Sequence, residues 1–254
     1  MYGAKQHFTP DEDTRPNIDQ VCIRRVQGII GALLYYKCTV DNKLLMSLSA
    51  IGTKQAAATE SNAVAIYQLL DYVAMYPNDG IIYRATDMIM CAHYDTAYII
   101  ESKTRSRSGS LKLLLEDDPT PRINESIITL AKIIKFVMSS AAEAELAGLL
   151  ITSKKMIPLL QTLIDMECPQ PKSPIQTDNH TAVGVINRTL LHKNIKYMDM
   201  CLWWLRCRDY QGQFRLYWAS GSSNEAYCPT KHHPDIYHET KRPLNIFSWA
   251  YYKL

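Results

Sequence analysis

No run of apolar residues in this chain is long enough to span a bilayer, and no apolar leader opens it; Met1-Tyr2-Gly3 leads straight into a polar stretch. These absences predict a protein with no membrane segment, intracellular (cytoplasmic or nuclear) and not secreted. Cysteine usage gives the same reading. The seven cysteines are scattered, odd in number and without a CxxC pair, which fits a reduced protein and excludes a disulfide scaffold. An excess of one charge is missing too: Lys plus Arg number 28 against 25 Asp plus Glu, a net +3, so local clustering must decide whether a polyanion is bound. There is no Gly-rich phosphate cradle, no Ser-His-Asp or Cys-His motif, no internal repeat and no low-complexity tract. Cys228, His232, His233 and His238 match no standard zinc spacing.

At 254 residues the chain has room for a sizeable core in one or two domains. Residues 1–17, with Pro10, Pro16 and Asp11-Glu12-Asp13, read as an extended arm. Helical spacing of Val21, Ile23, Val26, Ile29, Ile30, Leu33 and Leu34 predicts a helix from about Ile18 to Tyr36. A second runs from Thr59 to Met75, capped by Thr59 or Ser61, and Pro77-Asn78-Asp79-Gly80 ends it. The character then changes. Short apolar runs at 81–83 and 88–92 have strand length, the second leading to Asp95 at its C-terminal end. A hairpin-like connection over 103–109 precedes a strand at Leu111–Leu115, and Ile127–Ile134 reads as a strand or a helix. Further on come a strand at Ile175–Thr177, helices at Thr181–Leu191 and Asp199–Asp209, and a half-buried strand at Gln213–Ala219. The order describes a mixed α/β domain.

The stretch Ser139 to Leu150 starts an amphipathic helix that buries Leu146, Leu149 and Leu150 and ends before Pro158 or a little beyond it. Ser140 and Glu143 form an S-x-x-E capping box, which gives Glu143 a structural task. Glu145 has none, and at two positions' remove it points about 200° away from Glu143. Asp95 and Asp178 near strand ends, with Glu145 near a helix start, converge at one edge of a mixed sheet. Three clustered carboxylates repel unless they hold divalent cations, and an all-oxygen donor set selects Mg²⁺ or Mn²⁺. The commonest work of such a cluster is phosphodiester hydrolysis.

Four local sequences, Tyr94-Asp95-Thr96-Ala97-Tyr98, Ser139–Leu150, Gln176-Thr177-Asp178-Asn179 and Lys196-Tyr197-Met198-Asp199-Met200, together resemble the ribonuclease H domain that ends copia-type retrotransposon polyproteins. Upstream, Ile29–Tyr36 and Gln68-Leu69-Leu70-Asp71-Tyr72 look like the connection between reverse transcriptase and that domain. The resemblance runs from about Tyr2 to Leu244. It implies a helical connection segment at 1–86, following a reverse transcriptase absent from this chain, and a ribonuclease H-like domain at 87–254. The implied fold is α/β, a mixed five-stranded sheet flanked by helices. The implied activity is endonucleolytic hydrolysis of the RNA strand of RNA–DNA hybrids with Mg²⁺, for which Mn²⁺ substitutes. Asp95, Glu145 and Asp178 carry over as catalytic and metal-ligating residues. The expected substrate-binding residues are Asn179, Arg188, Lys196 and Lys231, and the expected partners are the hybrid and the reverse transcriptase portion of the polyprotein.

The chain departs from the family pattern at its fourth acid. Where an N-x-A-D segment followed by T-K is expected, it reads Asn224-Glu225-Ala226-Tyr227-Cys228-Pro229-Thr230-Lys231, with Tyr227 in place of the aspartate. A phenol is a poor Mg²⁺ ligand at neutral pH. Ser110 in place of a glycine and Tyr197 in place of a common histidine are further departures. The alternative is therefore a catalytically degenerate ribonuclease H-fold relic that binds nucleic acid. Arg188, Lys193, Lys196, Arg206, Arg208 and Arg215 outnumber Asp199 and Asp209 and could follow a phosphate backbone. Trp203, Trp204, Tyr210 and Trp218 interleave with them, either stacking on bases or packing in the core.

Overall fold

The computed structural model describes residues 13–77, 79–118, 120–188, 199–231 and 246–248. These divide into two compact units, 13–83 together with 246–248, and 84–231. No described helix is long and apolar enough to cross a membrane.

The first unit is mainly helical. Asp19 starts α1 (Gln20–Thr39) by accepting the Cys22 N–H at 2.7 Å, and the helix buries Ile23, Val26, Ile30 and Leu33 at 3- and 4-residue spacing. These pack with α2 (Leu45–Gly52) and α3 (Glu60–Met75), whose Ile66 is fully buried. Thr59 is the α3 cap, its backbone N–H donating to Asn62 Oδ1 at 3.1 Å. Asp13 is tied to this helix start: the Thr59 and Ser61 hydroxyls both donate to it, which holds its carboxyl down to about 2. A short strand, β1 (Asp79–Ile81), pairs antiparallel with Ile246–Ser248.

The second unit carries, in order, β2 (Ile89–Glu101), β3 (Arg105–Leu115), β4 (Ile128–Ile133), α4 (Ala141–Asp165), β5 (Ser173–Thr177), α5 (His180–Ile186), α6 (Asp199–Tyr210) and β6 (Phe214–Trp218). The sheet order is β4-β3-β2-β5-β6; β3 is antiparallel to both neighbours, whereas β2, β5 and β6 run parallel. Helices α4, α5 and α6 share one core with Met90, Ala92, Tyr94, Ile175, Phe214 and Leu216. On the opposite face Ala226 closes a smaller cluster of Cys91, Leu111, Leu113 and Leu115. A five-stranded mixed sheet of this order, flanked by helices, is the ribonuclease H-like fold expected from the sequence.

Several boundaries differ from expectation. Asp95 sits in the middle of β2 and not at a strand end, because His93, Tyr94, Asp95 and Thr96 continue the strand as buried residues. Positions 105–109 belong to β3, leaving only Ser102–Thr104 as the turn. Burial with a partner explains that: Arg107 is fully buried and paired with Glu101 at 2.5 Å. Ile128–Ile133 resolves as a strand. Helix α4 runs straight through Pro158 to Asp165. An interior proline costs roughly 3 kcal/mol. Burying Leu160 and Leu163 against the core beyond it returns roughly 1.5–3 kcal/mol each, so the helix continues, with Pro158 on its exposed side. Helix α5 stops at Ile186, short of Leu191, and Arg188 takes a left-handed φ of 61°.

The depth of α4 on the sheet is set at Gly148. A Cβ there would meet Thr96 Oγ1 at 2.2 Å, Ser108 Oγ at 3.3 Å and Tyr94 Cδ2 at 3.4 Å. Glycine therefore lets the first turns of α4 lie directly against β2 and β3. Gly148→Ala is expected to destabilise the chain by about 1–3 kcal/mol through overpacking. This loss exceeds the roughly 1 kcal/mol that alanine adds in a helix. Urea unfolding of the two proteins measures the difference, and an alanine variant at least as stable as the parent would refute this close packing.

Candidate metal centre

Three elements bring a carboxylate each to one place. Asp95 comes from the middle of β2, Glu145 from the second turn of α4, and Asp178 follows β5 immediately. Pairing between β2 and β5 is made at Ala92–Ile175 and His93–Gln176 and then stops, so the sheet opens beside Asp95. Asp178 leaves β5 at this opening, and Glu145 reaches it from the helical layer. One carboxylate oxygen from each of the three lies within 4.8 Å of the others. Ser140 caps α4 by accepting the Glu143 N–H at 3.2 Å. The return arm of the box lands one residue earlier than expected: Glu143 Oε2 accepts from the Ser139 N–H at 2.8 Å, not from Ser140. Glu143 is thus spent at the helix start, and Glu145 is the buried one.

The segment Asn224–Lys231 closes the other side. Asn224 anchors it, donating from Nδ2 to the Tyr94 carbonyl at 2.9 Å while its Oδ1 accepts the Ala226 N–H at 3.0 Å. Thr230 Oγ1 then donates to Asp95 Oδ2 at 2.5 Å, and Lys231 Nζ lies 3.5 Å from the same oxygen. Tyr227 Oη donates to Asp178 Oδ2 at 2.8 Å. The Lys231 ammonium sits over the Tyr227 ring, 3.7 Å from its centroid. Thr230 is the contact that sequence reasoning missed, although it belongs to the same Thr-Lys pair as Lys231.

Burial dominates the electrostatics. It pushes the Glu145 carboxyl well above the usual range, and the neighbouring Asp95 and Asp178 charges push it further. Asp95 is raised by burial too, opposed by Lys231 and Thr230. Burial and then the bond to Asp178 raise the Tyr227 phenol, which stays protonated as a donor. His93 is buried, and burial holds it neutral, pushed down to about 4. Glu145 Oε2 is buried with no hydrogen-bond partner. A buried carboxylate with an unpartnered oxygen, clustered with two other carboxylates, is a fit for a hard divalent cation, which Asp95, Glu145 and Asp178 would hold.

The other expected residues fall as follows. Asn179 caps α5, its Oδ1 accepting the Ala182 N–H at 2.9 Å. Arg188 follows that helix, and Lys193, Lys196 and Tyr197 lie outside the described residues, as do His232, His233 and His238. Arg206 is not available to a backbone phosphate in the arrangement seen, because its guanidinium donates to the Val185 carbonyl at 3.2 and 2.7 Å. The tryptophans divide: Trp204 packs against the core, while Trp203 and Trp218 are exposed. Trp218 stacks on His180 at 4.3 Å and donates from Nε1 to the Asp178 carbonyl at 3.0 Å, which puts an aromatic platform beside the acids.

No protein-family model matches the sequence, and no curated protein matches it. Among solved structures the chain is similar to LC11-RNase H1, isolated from compost by a metagenomic approach, with a TM-score of 0.43 and 10% identity over 56% of this chain and 92% of that one. It is also similar to RNase H1 of the halophilic archaeon Halobacterium salinarum NRC-1, with a TM-score of 0.34 and 13% identity over 54% and 89%. The prototype foamy virus protease-reverse transcriptase gives a TM-score of 0.33 and 10% identity over 57% of this chain and 20% of that one. Strand order and direction, not these likenesses, define the fold.

Raised carboxyls have a consequence for stability without divalent ions. A carboxyl whose folded pKa lies above its unfolded value stabilises the fold when protonated and loses that contribution as pH rises through the folded pKa. The ion-free chain is therefore expected to gain stability as pH falls from neutral towards the ordinary glutamate value of 4.5. Glu145→Gln should melt higher than the parent at neutral pH in EDTA and flatten this dependence. Thermal melts across pH check it, and a variant that melts lower than the parent throughout would show Glu145 to be stabilised, not stressed, by its site.

Proposed function

We propose that residues 84–231 form a ribonuclease H, a metal-dependent endonuclease that hydrolyses the RNA strand of RNA–DNA hybrids as part of a copia-type retrotransposon polyprotein. The observation that carries this reading is the convergence of Asp95, Glu145 and Asp178, with the buried Glu145 Oε2 left without a partner. Such a centre has no structural use of its own: three crowded carboxylates destabilise the chain that holds them. A divalent cation bound there, Mg²⁺ or Mn²⁺, supplies Lewis-acid stabilisation of the charge that builds on phosphodiester oxygens.

The chain's own groups orient and exclude. Asp95, Glu145 and Asp178 would hold the cation, and their carboxylate oxygens would orient the attacking water by accepting hydrogen bonds from it. Thr230 fixes the Asp95 rotamer through its hydroxyl, and the α4 layer packed at Gly148 keeps bulk water from the back of the site. Lys231, Arg188 and Lys196 meet the backbone phosphates, and Asn179 holds the chain beside Asp178 through its α5 cap. Trp218, on its His180 support, offers a face to a base or sugar. On this reading the helical first unit is the connection to the polymerase, and the reverse transcriptase of the parent polyprotein is the protein partner.

One observation favours a second reading, a hybrid-binding module without activity: Tyr227 stands at the fourth acidic position and bonds to Asp178 as a donor. Incubating the full chain with a hybrid labelled on each strand, with Mg²⁺ or Mn²⁺, decides between them. The expected result is cutting of the RNA strand alone. Asp95→Asn should slow it by at least about 100-fold, the upper end of what losing an outer-shell partner costs a metal site. A folded protein that binds the hybrid and leaves it intact at high concentration would establish the second reading.

A further inference from the structure

The three acids do not present six equivalent oxygens. Asp95 Oδ2 is taken up by the Thr230 hydroxyl at 2.5 Å and the Lys231 ammonium at 3.5 Å. Asp178 Oδ2 is taken up by the Tyr227 hydroxyl at 2.8 Å. The space beside that last pair is closed by backbone: a Cβ on Gly221 would lie 2.7 Å from Tyr227 Oη and 2.9 Å from Asp178 Oδ2. The donors of this segment thus fall on the Oδ2 atoms of Asp95 and Asp178, while Glu145 Oε2 is buried and unpartnered. One oxygen from each acid lies within 4.8 Å of the others, which makes a single set of three ligands. A second hard cation would have to displace the tyrosine hydroxyl or the lysine, and a protonated phenol offers it no anionic oxygen.

Charge points the same way. Three ionised carboxylates are balanced by one divalent ion together with the one positive charge of Lys231. A flexible ammonium is ordinarily a poor substitute for a fixed ion, but this one is fixed. Its ring contact with Tyr227, at 3.7 Å, gives it a cation–π seat in addition to the ion pair with Asp95. The Lys231 side chain keeps 37% of its surface open, so it faces incoming substrate while touching the acids.

We propose that this centre takes a single divalent cation, and that Lys231, seated on the Tyr227 ring, is its resident second positive charge. Tyr227 is then the seat of that lysine and the plug of a second ion position. The inference rests on reading the three acids as a metal site, and it assigns Lys231 a role towards the ion as well as towards the substrate phosphate.

The test counts ions. Titrating the full-length, EDTA-stripped chain with Mn²⁺, read by calorimetry and by the electron paramagnetic resonance of free Mn²⁺, should give one ion per chain. Lys231→Gln should keep that count and tighten the ion roughly tenfold, because a positive charge beside a ligand is removed. The double variant Tyr227→Asp with Lys231→Gln should bind two. Circular dichroism and melting confirm that each variant is folded. Two ions on the parent chain, an unchanged affinity in Lys231→Gln, or a single ion in the folded double variant would each overturn the proposal while leaving the metal site intact. No Mn²⁺ binding by the parent would overturn the metal reading itself, and this inference with it.

Discussion

Mutual repulsion among three clustered carboxylates, two of them buried and the third partly so, is the constraint on which the second unit depends. Two unit charges about 5 Å apart interact with roughly 3 kcal/mol at an effective dielectric constant of about 20, and burial adds the cost of lost hydration. The chain meets part of this from a single segment: Thr230 and Lys231 serve Asp95, and Tyr227 serves Asp178. Glu145 Oε2 receives no hydrogen bond, and the Lys231 charge is what favours the ionised form of this carboxyl. Its carboxyl is raised well above the usual range, by burial first and then by the Asp95 and Asp178 charges, because it arrives from the buried helical layer.

The backbone is arranged to hold that unfavourable cluster in place. Helix α4 is anchored along its whole length by Leu146, Leu149, Met156, Leu160 and Leu163, which sit in the common core. Against burial of that size a stressed carboxylate near the helix start cannot lift the helix off the sheet. The missing side chain at Gly148, one turn further on, then brings Glu145 down to the level of β2. Asp95 has equally little freedom, lying mid-strand with β3 paired across from it at Gly109. Strain that would relax on a loop is retained here because two of the three acids sit on rigid elements.

Much of this was legible in the sequence, and what was not has a common cause. Helices α1, α3, α4, α5 and α6, the strand at Ile175–Thr177 and the separation of Glu143 from Glu145 follow from apolar spacing, capping and turn residues, whereas α2 at Leu45–Gly52 was not anticipated. Polar residues buried inside strands defeated the same reasoning. Arg107 and Ser108 look like part of a hairpin connection in sequence but are fully or almost fully buried in β3 with Ser110 and Lys112, where Arg107 meets Glu101 and Lys112 donates to Ser110 at 2.6 Å. For the same reason β2 looked complete at Ala92, although Asp95 lies in its middle. Periodicity reports burial only when buried means apolar, and in this sheet it often does not. The partners of the acids from Tyr227 to Lys231 are some 50 to 135 positions away in sequence, a distance no local pattern spans.

Tyr227 shows how a neutral side chain can stand beside an acidic cluster where the pattern the sequence resembles has an aspartate. An aspartate at this position would add a fourth negative charge to a cluster already short of positive ones. The phenol removes that charge, occupies the freed space against Gly221 and donates a hydrogen bond to Asp178. It also presents a ring on which Lys231 can rest, which a carboxylate could not do. A tyrosine here therefore adds no repulsion and localises a cation at the same time. With repulsion reduced, the site needs less foreign positive charge to be stable, and the fold can persist whether or not a second ion ever binds.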